Sequence, residues 1–224
     1  MFFTKKRIIQ NKIIDFSRRM NSSGLNQGSS GNISVRFQEG MLITPTSIPY
    51  EKLKPNDIVY INLDKISKDK YRDKVIKSKK KPSSEWQMHA SILKSRIDIN
   101  AVLHCHSIYA TALSCHRKKI PSFHYMTAIS GGMEILCSNY ATFGSKEIAK
   151  NTLEALQDRN ACLLANHGQI SIGVNIEKAF SLAIEIETLS HIYLEACKLG
   201  EPMHLSAKEM ENVLSKFKKL DYKD

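Results

Sequence analysis

The sequence predicts an α/β protein: a layered domain with a mixed sheet, formed by residues 1–224 as a single domain. Three observations carry this. Long segments near both ends repeat apolar residues at helical spacing. Residues 33–37 and 41–43 flank Gln38-Glu39-Gly40 as a β-hairpin does. The apolar run Ala101 to Cys105 has the length of a buried strand, and helical and strand-like segments alternate around it.

Taken in order, Thr4 to Met20 reads as a helix with Ile9, Ile13, Phe16 and Met20 on one stripe. Residues 26–32 are small and polar and form a loop before the hairpin. Ile58 to Leu63 reads as another strand. Ser83 and Ser84 cap a helix running from Glu85 to about Arg96. The Ala101 strand leads into a helix over 107–116. Further helices are expected over 145–157 and 175–199, with short strands between them at 162–164 and 169–172. Ser206-Ala-Lys-Glu209 is a capping box that opens a last helix.

The chain of 224 residues is 42% hydrophobic, enough for one sizeable core. No apolar run approaches the ~20 residues of a membrane span, and Met1-Phe-Phe-Thr-Lys-Lys-Arg7 is not a signal peptide. Five cysteines, at 105, 115, 137, 162 and 197, are odd in number and lie in apolar runs. They read as buried thiols, which places the protein in a reducing cytoplasm. The net charge of +11 is concentrated in residues 65–81, where nine basic residues face only Asp69 and Asp73. Such a segment is either an anionic-surface or nucleic-acid patch or a solvated loop. With Tyr71 as its one aromatic it lacks a stacking platform, so the loop reading is preferred and no nucleic-acid partner is expected.

Three histidines carry the chemistry. On a strand His104 and His106 share one face and Cys105 takes the other. Two imidazoles on a rigid face can hold a divalent metal, usually zinc, and His167 is available as a third ligand, leaving one position open. The His-x-His pair alone is equally compatible with a structural or surface pair. Glu85 at a helix start can be a charge favourable to the helix dipole. Beside a metal it can instead move a proton or occupy the open position. His89, one turn further on, is read as a packing or hydrogen-bonding residue. Three small-residue clusters, Gly28 to Asn32, Thr44 to Ser47 and Ser83-Ser84, each suit turns or caps. Brought together, they could bind one phosphate.

Several runs carry a family resemblance: Gly24-Leu-Asn-Gln-Gly28, Gly31-Asn-Ile-Ser-Val-Arg36, Met41-Leu-Ile-Thr-Pro-Thr46, Ile48-Pro-Tyr-Glu-Lys-Leu53 and Pro82-Ser-Ser-Glu-Trp86. Ala101-Val-Leu-His-Cys-His106, His124-Tyr-Met126, Tyr140-Ala-Thr-Phe-Gly144 and Leu163-Leu-Ala-Asn-His-Gly168 continue it to the last helices. Together they resemble the class II, zinc-dependent L-fuculose-phosphate aldolases of the class II aldolase/adducin-head superfamily. The resemblance implies that His104, His106 and His167 bind Zn2+ and that Glu85 is the acid/base and approaches the metal when substrate is absent. It places Asn32, Thr46, Ser47, Ser83 and Ser84 at phosphate-binding positions and Phe143 beside the aldehyde's methyl group. Tyr125 corresponds to a proton donor reaching a neighbouring subunit's site in a homotetramer, and the implied fold is a layered α/β/α domain with a central mixed, largely antiparallel sheet. The substrate implied is a small phosphorylated sugar. Its cleavage between C3 and C4 leaves negative charge on dihydroxyacetone phosphate, which a metal can stabilise without a Schiff-base lysine.

Other superfamily members are pentulose-phosphate 4-epimerases, methylthioribulose-phosphate dehydratases and the non-catalytic adducin-head binding module. The epimerases tend to carry Asp after the paired serines, so Glu85 favours an aldolase. Intact Glu85 and all three histidines argue against a binding module. Ser47 stands where the family usually has Gly, a strained choice if that position needs φ > 0.

Overall fold

The computed structural model describes residues 2–66, 78 and 80–221. The helices are α1 (Phe2–Ser22), α2 (Trp86–Ser95), α3 (Ile108–Ser114), α4 (Lys146–Ala155), α5 (Ile176–Cys197) and α6 (Ala207–Asp221). The strands are β1 (Asn32–Phe37), β2 (Gly40–Ile43), β3 (Val59–Asn62), β4 (Ala101–Cys105), β5 (Cys137–Ser138), β6 (Ala161–Leu164) and β7 (Gly168–Gly173). They form one seven-stranded sheet in the order β3-β2-β1-β4-β7-β6-β5. Every pairing is antiparallel except β5 with β6, so the sheet is mixed and largely antiparallel, as expected.

Alternation along β4 separates two apolar layers. Val102 joins Met41, Ile43, Ile61, Ile170 and Ile172 under α2 and α4. Ala101, Leu103 and Cys105 join Ile33 under α1 and α5. A third cluster packs Ala161 and Leu163 against α3 and against Leu182, Ile186 and Leu189 of α5. The expected hairpin forms between β1 and β2, with Phe37 opposite Gly40 and Gln38 at φ 51°. The expected box at the last helix also forms: Glu209 N–H donates to Ser206 Oγ, and Ser206 N–H to Glu209 Oε2.

The two-residue β5 and the 3-10 turns at Tyr50–Lys52, Pro55–Asp57 and Tyr125–Ser130 are too short to leave a periodic pattern. The cysteines need a correction: Cys105 and Cys162 are buried, but Cys115 and Cys197 are exposed and Cys137 is intermediate; all five are free thiols. Most of the lysine-rich segment, 67–77 and 79, lies outside the described residues. Among the described residues no helix is long and apolar enough to cross a membrane.

Candidate metal centre and active site

β4 is a central strand, held by β1 on one side and β7 on the other. His104 lies near its end, on the face covered by α2, and His106 follows the strand. The tight β6–β7 turn brings His167 to them. Asn166 takes φ 53° there, Asn166 N–H donates to Ser114 O at 3.0 Å, and His167 N–H donates to Ser114 Oγ at 3.2 Å. Gly168 makes the approach possible: a Cβ at this position would sit 2.4 Å from Cys105 O and 3.0 Å from His106 Cδ2.

The three rings stand mutually edge-on, with centroids 4.9, 4.7 and 4.8 Å apart. One ligand atom from each lies within 4.8 Å of the others. His104 Nδ1–H donates to Gln169 O at 2.8 Å, which leaves Nε2 with its lone pair directed into the cluster. Nε2 faces His106 Nε2 at 3.0 Å and Glu85 Oε2 at 3.2 Å. The last contact is not an ion pair. Burial, and secondarily His106, push the His104 imidazole down to about 3, so it is neutral. His167 Nε2 lies 3.5 Å from Glu85 Oε1, and burial with His104 lowers its pKa to about 3. His106 is lowered by burial as well. Glu85 Oε1 is buried without a hydrogen-bond partner. Converging lone pairs with an orphaned carboxylate oxygen are what a divalent cation satisfies, so the donor set fits a metal.

Glu85 is the residue before α2, the helix-start position expected for it, and its side chain makes no cap hydrogen bond there. Its Oε2 accepts instead from Asn32 Nδ2 at 2.9 Å. Asn32 is the Cα partner of His104 across β1 and β4, which places both on the face beneath α2. The second and third hydroxyl clusters do converge. Pro45 bridges Pro82, Thr46 N–H donates to Lys81 O and Ser83 N–H to Thr44 O. Thr46 Oγ1 lies 3.3 Å from Ser47 Oγ. Ser47 has φ 60°, the conformation anticipated for a glycine position.

A cavity of about 270 Å³ opens over the cluster, lined by Ser84, Glu85, His106, Phe143 and His167. Ser30, Tyr140, Ala141 and Asn166 also line it, although no motif pointed to them individually. Ser30 belongs to the glycine-rich run and Tyr140 to the run containing Phe143. Phe143 is 67% exposed at the cavity mouth. Tyr125 is 51% exposed, at the start of a 3-10 turn, and is absent from the cavity lining.

Residues 11–194 match the profile of the Class II Aldolase and Adducin N-terminal domain family. The chain belongs to that family. It is 46% identical over 208 residues to an L-fuculose phosphate aldolase of Escherichia coli K12, covering 92% of this chain and 93% of that protein. It is 43% identical over 210 residues to a 5-methylthioribulose-1-phosphate/5-deoxyribulose-1-phosphate aldolase of Rhodospirillum rubrum, covering 94% and 91%. A solved L-fuculose 1-phosphate aldolase superposes with a TM-score of 0.86 at 36% identity, covering 93% of this chain and 95% of the other. This class II aldolase family member is thus an enzyme of the lyase type.

Proposed function

We propose that this class II aldolase reversibly cleaves L-fuculose 1-phosphate, or a related ketose 1-phosphate, to dihydroxyacetone phosphate and an aldehyde such as L-lactaldehyde. The observation that carries the reading is Glu85, within 3.2 and 3.5 Å of two members of the three-histidine cluster at one cavity. His104, His106 and His167 hold the metal, which we assign as zinc. Bound there, the metal supplies a Lewis acid for the charge that develops on the substrate's oxygens.

The chain's own residues do the rest. In the condensation direction Glu85 removes a proton from C3 of dihydroxyacetone phosphate, and Tyr125 gives one to the oxygen formed from the aldehyde. Thr46, Ser47, Ser83 and Ser84, with Asn32, bind the phosphate. Phe143 walls the aldehyde's methyl group. The exposure of Tyr125 and its absence from its own cavity lining support a donor that works in a neighbouring subunit. The assembly is accordingly a homotetramer of single-domain subunits, acting in the cytoplasm.

The relative from Rhodospirillum rubrum supports a second substrate reading, 5-methylthioribulose or 5-deoxyribulose 1-phosphate, with the same bond cleaved. The test is dihydroxyacetone phosphate release from all three sugar phosphates, with and without chelator. One sugar should exceed the others in kcat/KM, and chelator should abolish release. Epimerised product, or no dihydroxyacetone phosphate from any, would overturn the proposal.

A further inference from the structure

Ser34, His89, Asn32 and Glu85 form one continuous buried chain of hydrogen bonds. Ser34 Oγ lies 2.8 Å from His89 Nδ1, His89 Nε2 lies 2.5 Å from Asn32 Oδ1, and Asn32 Nδ2 lies 2.9 Å from Glu85 Oε2. The elements dictate the match. Asn32 and Ser34 are alternate residues of β1 and point to one face, about 7 Å apart. Glu85 and His89 are four residues apart at the start of α2, about one turn or 6 Å. Strand and helix therefore present two pairs of groups at nearly equal spacing.

The proton positions follow from the carboxylate. An ionised Glu85 accepts only, so the Asn32 amide turns its NH2 toward it and its oxygen toward His89. That oxygen accepts only, so His89 carries its proton on Nε2. Nδ1 is then the acceptor for the Ser34 hydroxyl. The opposite tautomer would put a lone pair against Asn32 Oδ1 or turn the amide over, aiming its oxygen at the carboxylate.

We propose that His89, its tautomer set by the Glu85 carboxylate through Asn32, is a positioning residue that fixes the Asn32 amide and through it the orientation of Glu85. Oε2 is thereby held by a donor, while Oε1 is left for the reacting proton. This rests on the reading that Glu85 moves that proton. His89 touches neither substrate nor metal in this arrangement, and its effect passes entirely through Asn32.

The test uses the zinc-loaded full chain and its variants. In wild type, exchange of the C3 proton of dihydroxyacetone phosphate with deuterated water should occur without aldehyde. His89→Leu, folded and with normal zinc content, should lower that exchange and kcat about a hundredfold, the scale of a small misplacement. His89→Gln should recover most of the loss, because its amide can still donate to Asn32 Oδ1. Nitrogen NMR of labelled histidine should find His89 protonated on Nε2 with and without zinc. Wild-type kcat in His89→Leu, or a proton on Nδ1, overturns the proposal. So does equal impairment of the Leu and Gln variants in step with lowered Tm. If His89→Leu does not fold, the NMR tautomer of the wild type decides. Wild type with neither exchange nor cleavage would instead defeat the aldolase reading, and the NMR tautomer would still decide whether the chain of hydrogen bonds exists.

Discussion

Asn32 Nδ2 donates to Glu85 Oε2 at 2.9 Å, tying the first residue of β1 to the residue that precedes α2. The contact joins a sheet position paired with a metal-ligand candidate to the proposed acid/base. It makes Glu85 a fixed part of the sheet surface rather than a free helix-end carboxylate.

Glu85→Gln should therefore fold, because a glutamine oxygen can still accept from Asn32. It should retain zinc on three histidines and lose about 10²–10⁴-fold in turnover, the usual contribution of a general acid/base. Steady-state kinetics beside metal analysis check this, and near wild-type turnover would remove Glu85 from the chemistry.

Metal removal should abolish activity, and zinc should restore it. His104→Ala should fail to recover, because it removes the histidine whose tautomer Gln169 O already fixes. Full activity in chelator, from protein shown to be metal-free, would defeat the metal assignment.

Acid should destabilise the metal-free protein through its buried histidines. Burial lowers His89, His104 and His167 to about 3 from an ordinary 6.5. Between those values the unfolded chain binds more protons than the native one, so stability rises with pH there. It is complete above about 6.5 and is lost as pH falls toward 3, each such histidine adding about 1.4 kcal/mol per pH unit at most. Denaturant melts across that window check the slope, and a flat profile would contradict neutral burial.

Ser47→Gly should stabilise the chain. A non-glycine residue at φ 60° carries roughly 1–2 kcal/mol of strain. The greater freedom of glycine in the unfolded chain offsets about 0.4–1 kcal/mol of that. A net gain of about 0–1.6 kcal/mol is expected, with KM for the phosphorylated substrate little changed because the backbone N–H is retained. A lower denaturation midpoint would show that the Ser47 contact with the Thr46 hydroxyl outweighs the backbone strain.

Activity should also depend on assembly. Mixed tetramers of Tyr125→Phe and His104→Ala subunits should regain activity that both parents lack, since some sites would combine intact ligands with an intact tyrosine. Authenticated mixed tetramers as inactive as their parents would place the site within one subunit or remove Tyr125 as the donor.

The metal-ligand candidates were legible because period-two alternation within one apolar run puts His104 and His106 on a common face. The long helices were legible from their stripes, and the last helix start from the reciprocal Ser206 and Glu209 bonds. The pairing of Thr44 to Ser47 with Lys81 to Ser83 was not, because it depends on a bridge between two prolines far apart in sequence. His89 could be assigned to the Glu85 face of a helix, but its partners Asn32 and Ser34 come from a strand more than fifty residues earlier. Asn166 left only a weak signal. Its neighbour Gly168 marks a turn, while the need for a left-handed residue before His167 arises from docking on Ser114.

The placement of β4 between β1 and β7 also has a kinetic side. The bond from His104 to Gln169 closes a separation of 65 residues, and that from Asn32 to Glu85 closes 53. Such loop closures must precede any reward from the contacts they bring. During synthesis from the N-terminus, His104 and His106 emerge as a two-ligand half-site well before His167 exists. Coordination of an ion by all three histidines would then wait for the β6–β7 turn to dock. A fragment ending before β6 should hold zinc no better than a short His-x-His peptide.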